Sequence, residues 1–314
     1  MLSRVAQRLY WFGRYMERVE NTARIINVNS NLLFDLPTGT RIGWQSLVDI
    51  TGSNDNFLEN HSNYDERSVM HHLMADPTNP SSIVSCLNIA RENVRTTREI
   101  LPTEVWECIN NLYLSVKEGI AEGLARKKRF IILQDVIATS QQLTGILSST
   151  MSNNHGYDFI RVARNLERAD MSTRIIDMGC ANLLPKIIDE QEAAEALNVY
   201  QSILWMHILI SLSAYQMYRQ HIQNKVSGPE VVRYILKDEE FPRAVMHCLN
   251  EIESCLLKLP GDVQAAKLIK DVKLRTQKGN VEKLIDKGLH QFIDRLQVDL
   301  ASLHKLIEEN WFLP

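Results

Sequence analysis

The chain has 314 residues, 45% of them hydrophobic, and a formal net charge of −3. That length supplies core for two ordinary domains, and the near-neutral balance excludes a strong field for nucleic acid or an acidic membrane. Sparse Gly and Pro, 13 and 9 in number, with 7% aromatics, favour helices over β-sandwich turns.

In chain order, the N-terminal MLSRVAQRLYWFGRYMERVE carries Arg4, Arg8, Arg14 and Glu17 where a secretory signal needs an apolar stretch, so no such signal is expected. A first helix is predicted from Ser3, its N-cap, to Phe34, with DLPTGTRIG (35–43) breaking it. A short helix follows at Trp44–Ile50, then a polar loop, GSNDNFLENHSNYDE (52–66). Helical pattern resumes at Arg67–Met74 and stops at DPTNP (76–80), with Pro80 opening the next helix behind Asn79. Helices are then expected at Ser81–Ile100, Glu104–Arg126 and Phe130–Met151, and SNNHGYD (152–158) is the joint to a second half. Val199–Tyr218 has the length of a membrane span and no charge, but Gln201, Ser202, His207, Ser211, Ser213 and Gln216 make a buried core helix the better reading. The five cysteines are odd in number and lack a C-x-x-C pair, which points to reduced thiols and a cytoplasmic setting.

The chain repeats itself. WFGRYMERVENTARII (11–26) overlies RVARNLERADMSTRII (161–176) at a shift of 150, so that Arg14, Glu17, Arg18 and Arg24 meet Arg164, Glu167, Arg168 and Arg174. MADPTNPSSIVSCLN (74–88) meets LKDEEFPRAVMHCLN (236–250) at a shift of 162, and Trp44-Gln45-Ser46 meets Tyr200-Gln201-Ser202 at 156. Matching blocks in one order predict an all-α tandem duplication, helical bundles over 1–151 and 152–314 packed as pseudo-symmetric halves.

At about 100° per residue, Phe12, Tyr15, Met16, Val19, Ala23 and Ile26 share one helix face and Arg14, Glu17, Arg18, Asn21 and Arg24 another. Glu17 and Arg18 follow Arg14 by three and four residues, and Glu20–Arg24 is a further i,i+4 pair. Three readings stand: a solvated face worth ~0.2–0.5 kcal/mol per pair, a buried network that fixes helix register, or an anion site of Arg forks oriented by Glu. A second basic stripe, Arg91, Arg95 and Arg98, is expected to meet Glu17, Glu20, Glu104 or Glu107 of a neighbouring helix, or else a polyanionic ligand or partner. Arg243, beside Pro242, is a lesser candidate whose aligned residue is Ser81.

No Glu precedes any of the nine His by three residues, so the ligand pattern of di-iron bundles is missing. There is no H-E-x-x-H, P-loop, G-x-S-x-G or G-x-G-x-x-G, and adjacent His71 and His72 point apart on a helix, so neither metal nor cofactor is expected.

At LSR (2–4), LYWFGRYMERVENTAR (9–24), ARENVRTTRE (90–99), LERADMSTRIID (166–177) and FPRAV (241–245), the chain resembles the alpha-E family. That resemblance spans essentially the whole length and implies an all-helical fold, usually duplicated, with its ER motif at Glu17-Arg18 and Glu167-Arg168. One departure is Gly13, which is Ala163 in the second copy. The resemblance further implies partners, a circularly permuted ATP-grasp protein and a transglutaminase-like protein, and a role in bacterial peptide synthesis or modification. The leading expectation is an accessory helical component that binds such a partner or its peptide, with no catalytic constellation of its own. One rival is an enzyme in which Arg14, Arg18, Arg164 and Arg168 hold an anionic substrate and Glu17 or Glu167 is general acid/base. The other is a purely structural scaffold.

Overall fold

A computed structural model describes residues 2–35, 43–121, 124–183, 193–261 and 263–312. All regular structure among them is helical, in the order α1 (Ser3–Asp35), α2 (Gln45–Thr51), α3 (Asn54–Asn60), α4 (Glu66–Met70), a π-helical turn (His71–Ala75), α5 (Ile83–Arg95), α6 (Thr103–Ala121) and α7 (Arg126–Thr150). There follow α8 (His155–Leu183), α9 (Ala193–Ser211), α10 (Tyr215–His221), α11 (Gly228–Lys237), α12 (Val245–Leu256), α13 (Val263–Lys278), α14 (Val281–Asp286) and α15 (Leu289–Trp311).

Two long helices form the axis. α1 packs against α8, α5 and α7, while α8 packs against α1, α12 and α15. Of the apolar face expected on α1, Phe12, Met16, Val19, Ala23 and Ile26 are buried and Tyr15 is half-buried. The opposite face is not left to water either: Glu17, Glu20 and Asn21 are 2%, 4% and 3% exposed, because that face carries α8. The helices approach closely at Gly13, where a Cβ would stand 2.7 Å from the Ile160 carbonyl oxygen and 3.0 Å from the Ala163 Cβ. Buried side chains from α1 through α15 make one continuous apolar cluster.

The structure redraws several expected boundaries. The segment read as a polar loop contains α3, a two-turn helix held by one buried side chain, Phe57, which stacks on Tyr64 at 4.5 Å. Pro80 does not open α5. Ser82 is the N-cap, accepting from the Ser85 amide at 3.3 Å while its hydroxyl donates to the Asp76 carbonyl. α5 stops at Arg95 rather than Ile100, because the Thr96 and Thr97 hydroxyls donate to the carbonyls of Glu92 and Asn93. The apolar run 199–218 is two helices, since the chain leaves α9 through Ser213, a left-handed residue with φ 54°, before α10. The expected break at 35–43 lies largely outside the described residues, as does the side chain of Cys180. Among the described residues one helix, α7, is long and apolar enough to cross a membrane by length and composition. Its Ile132, Leu133, Val136, Leu143 and Leu147 are buried, and α7 packs on α1 and α6.

Candidate functional site

Where α1 crosses α8, each helix sends its arginines to the other's glutamate. Arg14 Nε donates to Glu167 Oε2 at 2.5 Å, and Arg18 donates to both Glu167 oxygens at 2.7 and 3.2 Å. Arg168 returns the fork, Nε and a terminal nitrogen donating to the two Glu17 oxygens at 2.9 and 2.8 Å. The ER dipeptides are therefore not neighbours along their own helices but partners across the crossing. Bidentate Arg–carboxylate pairing fixes direction as well as distance, so these forks set the register of the two helices.

The two ends of this network differ. At the Glu17 end, Arg243 enters from the turn before α12 and donates to Glu17 at 2.9 Å, to Asn21 Oδ1 at 2.6 Å and to Glu20 at 2.7 Å. Arg24 also grips Glu20, at 2.9 and 2.7 Å, and reaches Ser213 Oγ at 2.8 Å. Arg164, aligned with Arg14, is excluded. Its Nε is buried without a hydrogen-bond partner, and no ion pair reaches it. Two aligned positions differ between the ends. Arg14 also donates to Tyr10 at 3.3 Å, a position that is Ile160 in the second copy, and Ser81, which accepts from Arg18 at 3.4 Å, is replaced by Arg243, which donates to Glu17 Oε1.

Electrostatics follow the pairing. Burial alone would push the Glu17 carboxyl up, but Arg168 and Arg243 outweigh it and hold it at about 2. Glu167 is likewise held at about 2 against its burial, by Arg14 and Arg18. Burial pushes the Arg164 guanidinium below the ordinary arginine value, and repulsion from Arg168 adds to that. At the Glu17 end four guanidiniums, of Arg24, Arg164, Arg168 and Arg243, face two carboxylates, of Glu17 and Glu20. Three of these arginines, Arg24, Arg168 and Arg243, line an open groove of about 250 Å³ with Glu20, Gln141, Thr144, Ser213 and Pro242. Through Arg24 and Ser213 it adjoins a hollow of about 430 Å³ that Asn27, Gln134, Tyr215 and Gln216 also line.

A family model described as a predicted alpha-helical domain with a conserved ER motif, Alpha-E, matches residues 1–312. This chain belongs to the Alpha-E family. Curated relatives include an uncharacterized protein of Mycobacterium bovis, 23% identical over 322 residues, and one of Mycobacterium tuberculosis, 22% identical over 322 residues. Each alignment covers 96% of this chain but 34% of the relative, so the Alpha-E chain spans about a third of the proteins it matches. No solved structure matches it.

Of the other residues singled out in the sequence, Arg174 donates to Asp170 at 2.9 Å within its own helix, as Arg24 does to Glu20. In the Arg91, Arg95 and Arg98 stripe, Arg91 and Arg98 face aromatic rings of α6 and the exposed Arg95 pairs within its own helix, rather than with the expected glutamates of neighbouring helices. Arg98 lies 3.7 Å from the Trp106 ring centre, Arg91 donates to Asn110 at 2.8 Å and Arg95 to Glu92 at 2.8 Å. Arg243, ranked as a lesser candidate, joins the network at its centre. Ser213, Gln141 and Thr144 of the groove carry no sequence signal, since Gln141 and Thr144 come from α7 and Ser213 from the turn after α9. Cys86 and Cys248 lie beneath the two ends, donating to the carbonyls of Pro80 and Pro242 at 3.4 and 3.5 Å, and burial pushes both thiols up to about 12. Among the described residues two groups could hold a metal ion, His61, His71 and Asp76, and Asp177, His290 and Asp294; both lie apart from the Arg/Glu network.

Proposed function

We propose that this Alpha-E protein is an accessory binding component of a bacterial peptide synthesis or modification system, acting with an ATP-grasp ligase and a transglutaminase-like protein. It presents the groove of Arg24, Arg168 and Arg243 to an acidic group of the partner or its peptide. The observation that carries this reading is the surplus of guanidinium over carboxylate where the groove opens. A surplus of buried positive charge is costly unless an anion completes it, and arginine forks fit carboxylate in two-point contact. We take the crossing itself as the joint of a tandem duplication, 1–151 and 152–314, supported by the reciprocal ER forks.

The enzyme reading is less well supported. A general acid or base at neutral pH needs a carboxyl that titrates near neutrality, and Glu17 and Glu167 are pinned as carboxylates by their arginines. The scaffold reading accounts for the forks but not for Arg164, which no fork uses.

The test is affinity purification of the tagged full chain from uncrosslinked cell lysate, at low and high salt, with the oligo-glutamate affinity of the purified protein measured alongside. Recovery of an ATP-grasp or transglutaminase-like protein that weakens with salt is expected, together with glutamate-peptide binding reduced in Arg24→Gln. Neither protein recovered and no peptide binding would sink the proposal.

A further inference from the structure

We infer that His61, His71 and Asp76 form a site for a divalent first-row metal ion of zinc type, independent of the arginine groove. One donor atom from each lies within 4.8 Å of the others. Sequence spacing hides this grouping. Five residues apart on an α-helix, His71 and Asp76 would point about 140° apart at 100° per residue. The turn His71–Ala75 is instead π-helical, closed by the Asp76 amide donating to the His71 carbonyl at 2.9 Å, and the wider turn brings the two side chains together. Such single π turns recur at functional sites.

The donors are held and left available. Asp76 Oδ1 accepts from the Thr78 amide at 2.8 Å and its hydroxyl at 2.7 Å, which fixes the carboxylate and leaves Oδ2 without a hydrogen bond. His61 packs edgewise or tilted against Phe57, His71 and His72, and its Nε2 is buried without a hydrogen-bond partner. Buried imidazole nitrogens ordinarily find a partner, and no protein group takes up this one. Behind the donors, His72 is fully buried, its Nε2 within hydrogen-bond reach of Ser53 and Asn79 and its Nδ1 3.8 Å from Asp76 Oδ2. The outer-shell hydrogen bonds on a donor are those of Thr78 to Asp76, of the kind that orients metal-binding carboxylates.

Two comparisons within the molecule separate this group from chance. Asp238, aligned with Asp76, caps its own turn in the same way, accepting from the amides of Glu240 and Phe241 at 3.0 and 2.6 Å. Arg233 and Tyr234 stand there in place of His71 and His72, so the capping role needs no histidine. The exposed group Asp177, His290 and Asp294 satisfies itself, His290 Nδ1 lying 2.8 and 3.0 Å from the two Asp177 oxygens. Two imidazoles and a carboxylate suit zinc or a similar ion, with bonds of ~2.0–2.2 Å and a fourth position open. His71, exposed and lining a cavity of about 670 Å³ with Glu66, Arg67, Arg126 and Arg129, leaves the site within reach of solvent.

The experiment uses the untagged full chain, stripped with a chelator and titrated with zinc against a chromophoric competitor, with bound metal counted by mass spectrometry. One equivalent is expected, with affinity falling at least roughly tenfold in His71→Ala and in His61→Ala and unchanged in His290→Ala. Because His71 is exposed, its truncation leaves folding intact, which circular dichroism checks. Binding equal in the parent and in His71→Ala, or lost in His290→Ala alone, overturns the assignment.

Discussion

The two ends of the α1–α8 network use the same residue types and reach different solutions. At one end Arg14 and Arg18 share Glu167. At the other Arg168 and Arg243 share Glu17, and Arg164 is left over. Two aligned positions differ between the ends, Ser81 against Arg243 and Tyr10 against Ile160. A near-repeat in sequence thus gives a closed ion-pair cluster on one side and an open, positively charged one on the other. The closed end is suited to fixing the helices, and the open end to meeting something acidic.

The largest effect is expected from removing both shared carboxylates. Glu17→Gln with Glu167→Gln strands buried arginines at both ends, at about 3–5 kcal/mol per site. A fall in the thermal midpoint of roughly 10 °C or more is expected by calorimetry; an unchanged midpoint would show that the forks do not hold the helices together. Acid should reproduce part of this loss. Both carboxyls are held below their ordinary value of 4.5, at about 2, so their contribution is complete above about pH 4.5 and disappears as pH falls toward 2. Each is worth on the order of 3 kcal/mol, readable as a drop in urea-unfolding free energy across that window, which the double variant should lack.

The sharpest comparison sets Arg14→Gln against Arg164→Gln at aligned positions. The first leaves Glu167 with one of its two arginines and should cost about 3 kcal/mol. The second removes a half-buried guanidinium whose Nε is buried without a hydrogen-bond partner, so urea unfolding should be unchanged or shifted toward stability within about 1 kcal/mol. Equal losses would erase the distinction between the ends. A loss between those two is expected at Gly13→Ala, whose new methyl meets the Ile160 carbonyl. Overpacking at that crossing should cost about 1–3 kcal/mol by the same measurement, and a neutral result would mean that the helices can slide apart there.

The sequence made the helices and the charged motif legible because both are local. Apolar spacing on α1 named the residues that are buried, and the pairs Glu20–Arg24 and Asp170–Arg174 form within one turn as their spacing implies. What the α1 stripe faces is not local. Arg14 and Glu17 are near neighbours in sequence, yet each takes its partner from α8, a choice made by the closeness that Gly13 allows. Arg243 looked peripheral because the turn that delivers it to Glu17 is 222 residues from Asn21, another of its acceptors. The grouping of His71 with Asp76 escaped for a related reason, since a π turn has no distinct periodicity over five residues. α3 was lost among polar residues because a single Phe holds it.

Cys86 and Cys248 give each end of the network its own native reporter. Both thiols are fully buried and, pushed up to about 12, stay protonated at neutral pH, so neither reacts with an alkylating reagent while its end is closed. Labelling then proceeds only through local opening, and its rate measures the free energy of that opening. Mass spectrometry of the two labelled peptides would read the two ends of one native protein separately, without a substitution, and rank which half of the crossing lets go first.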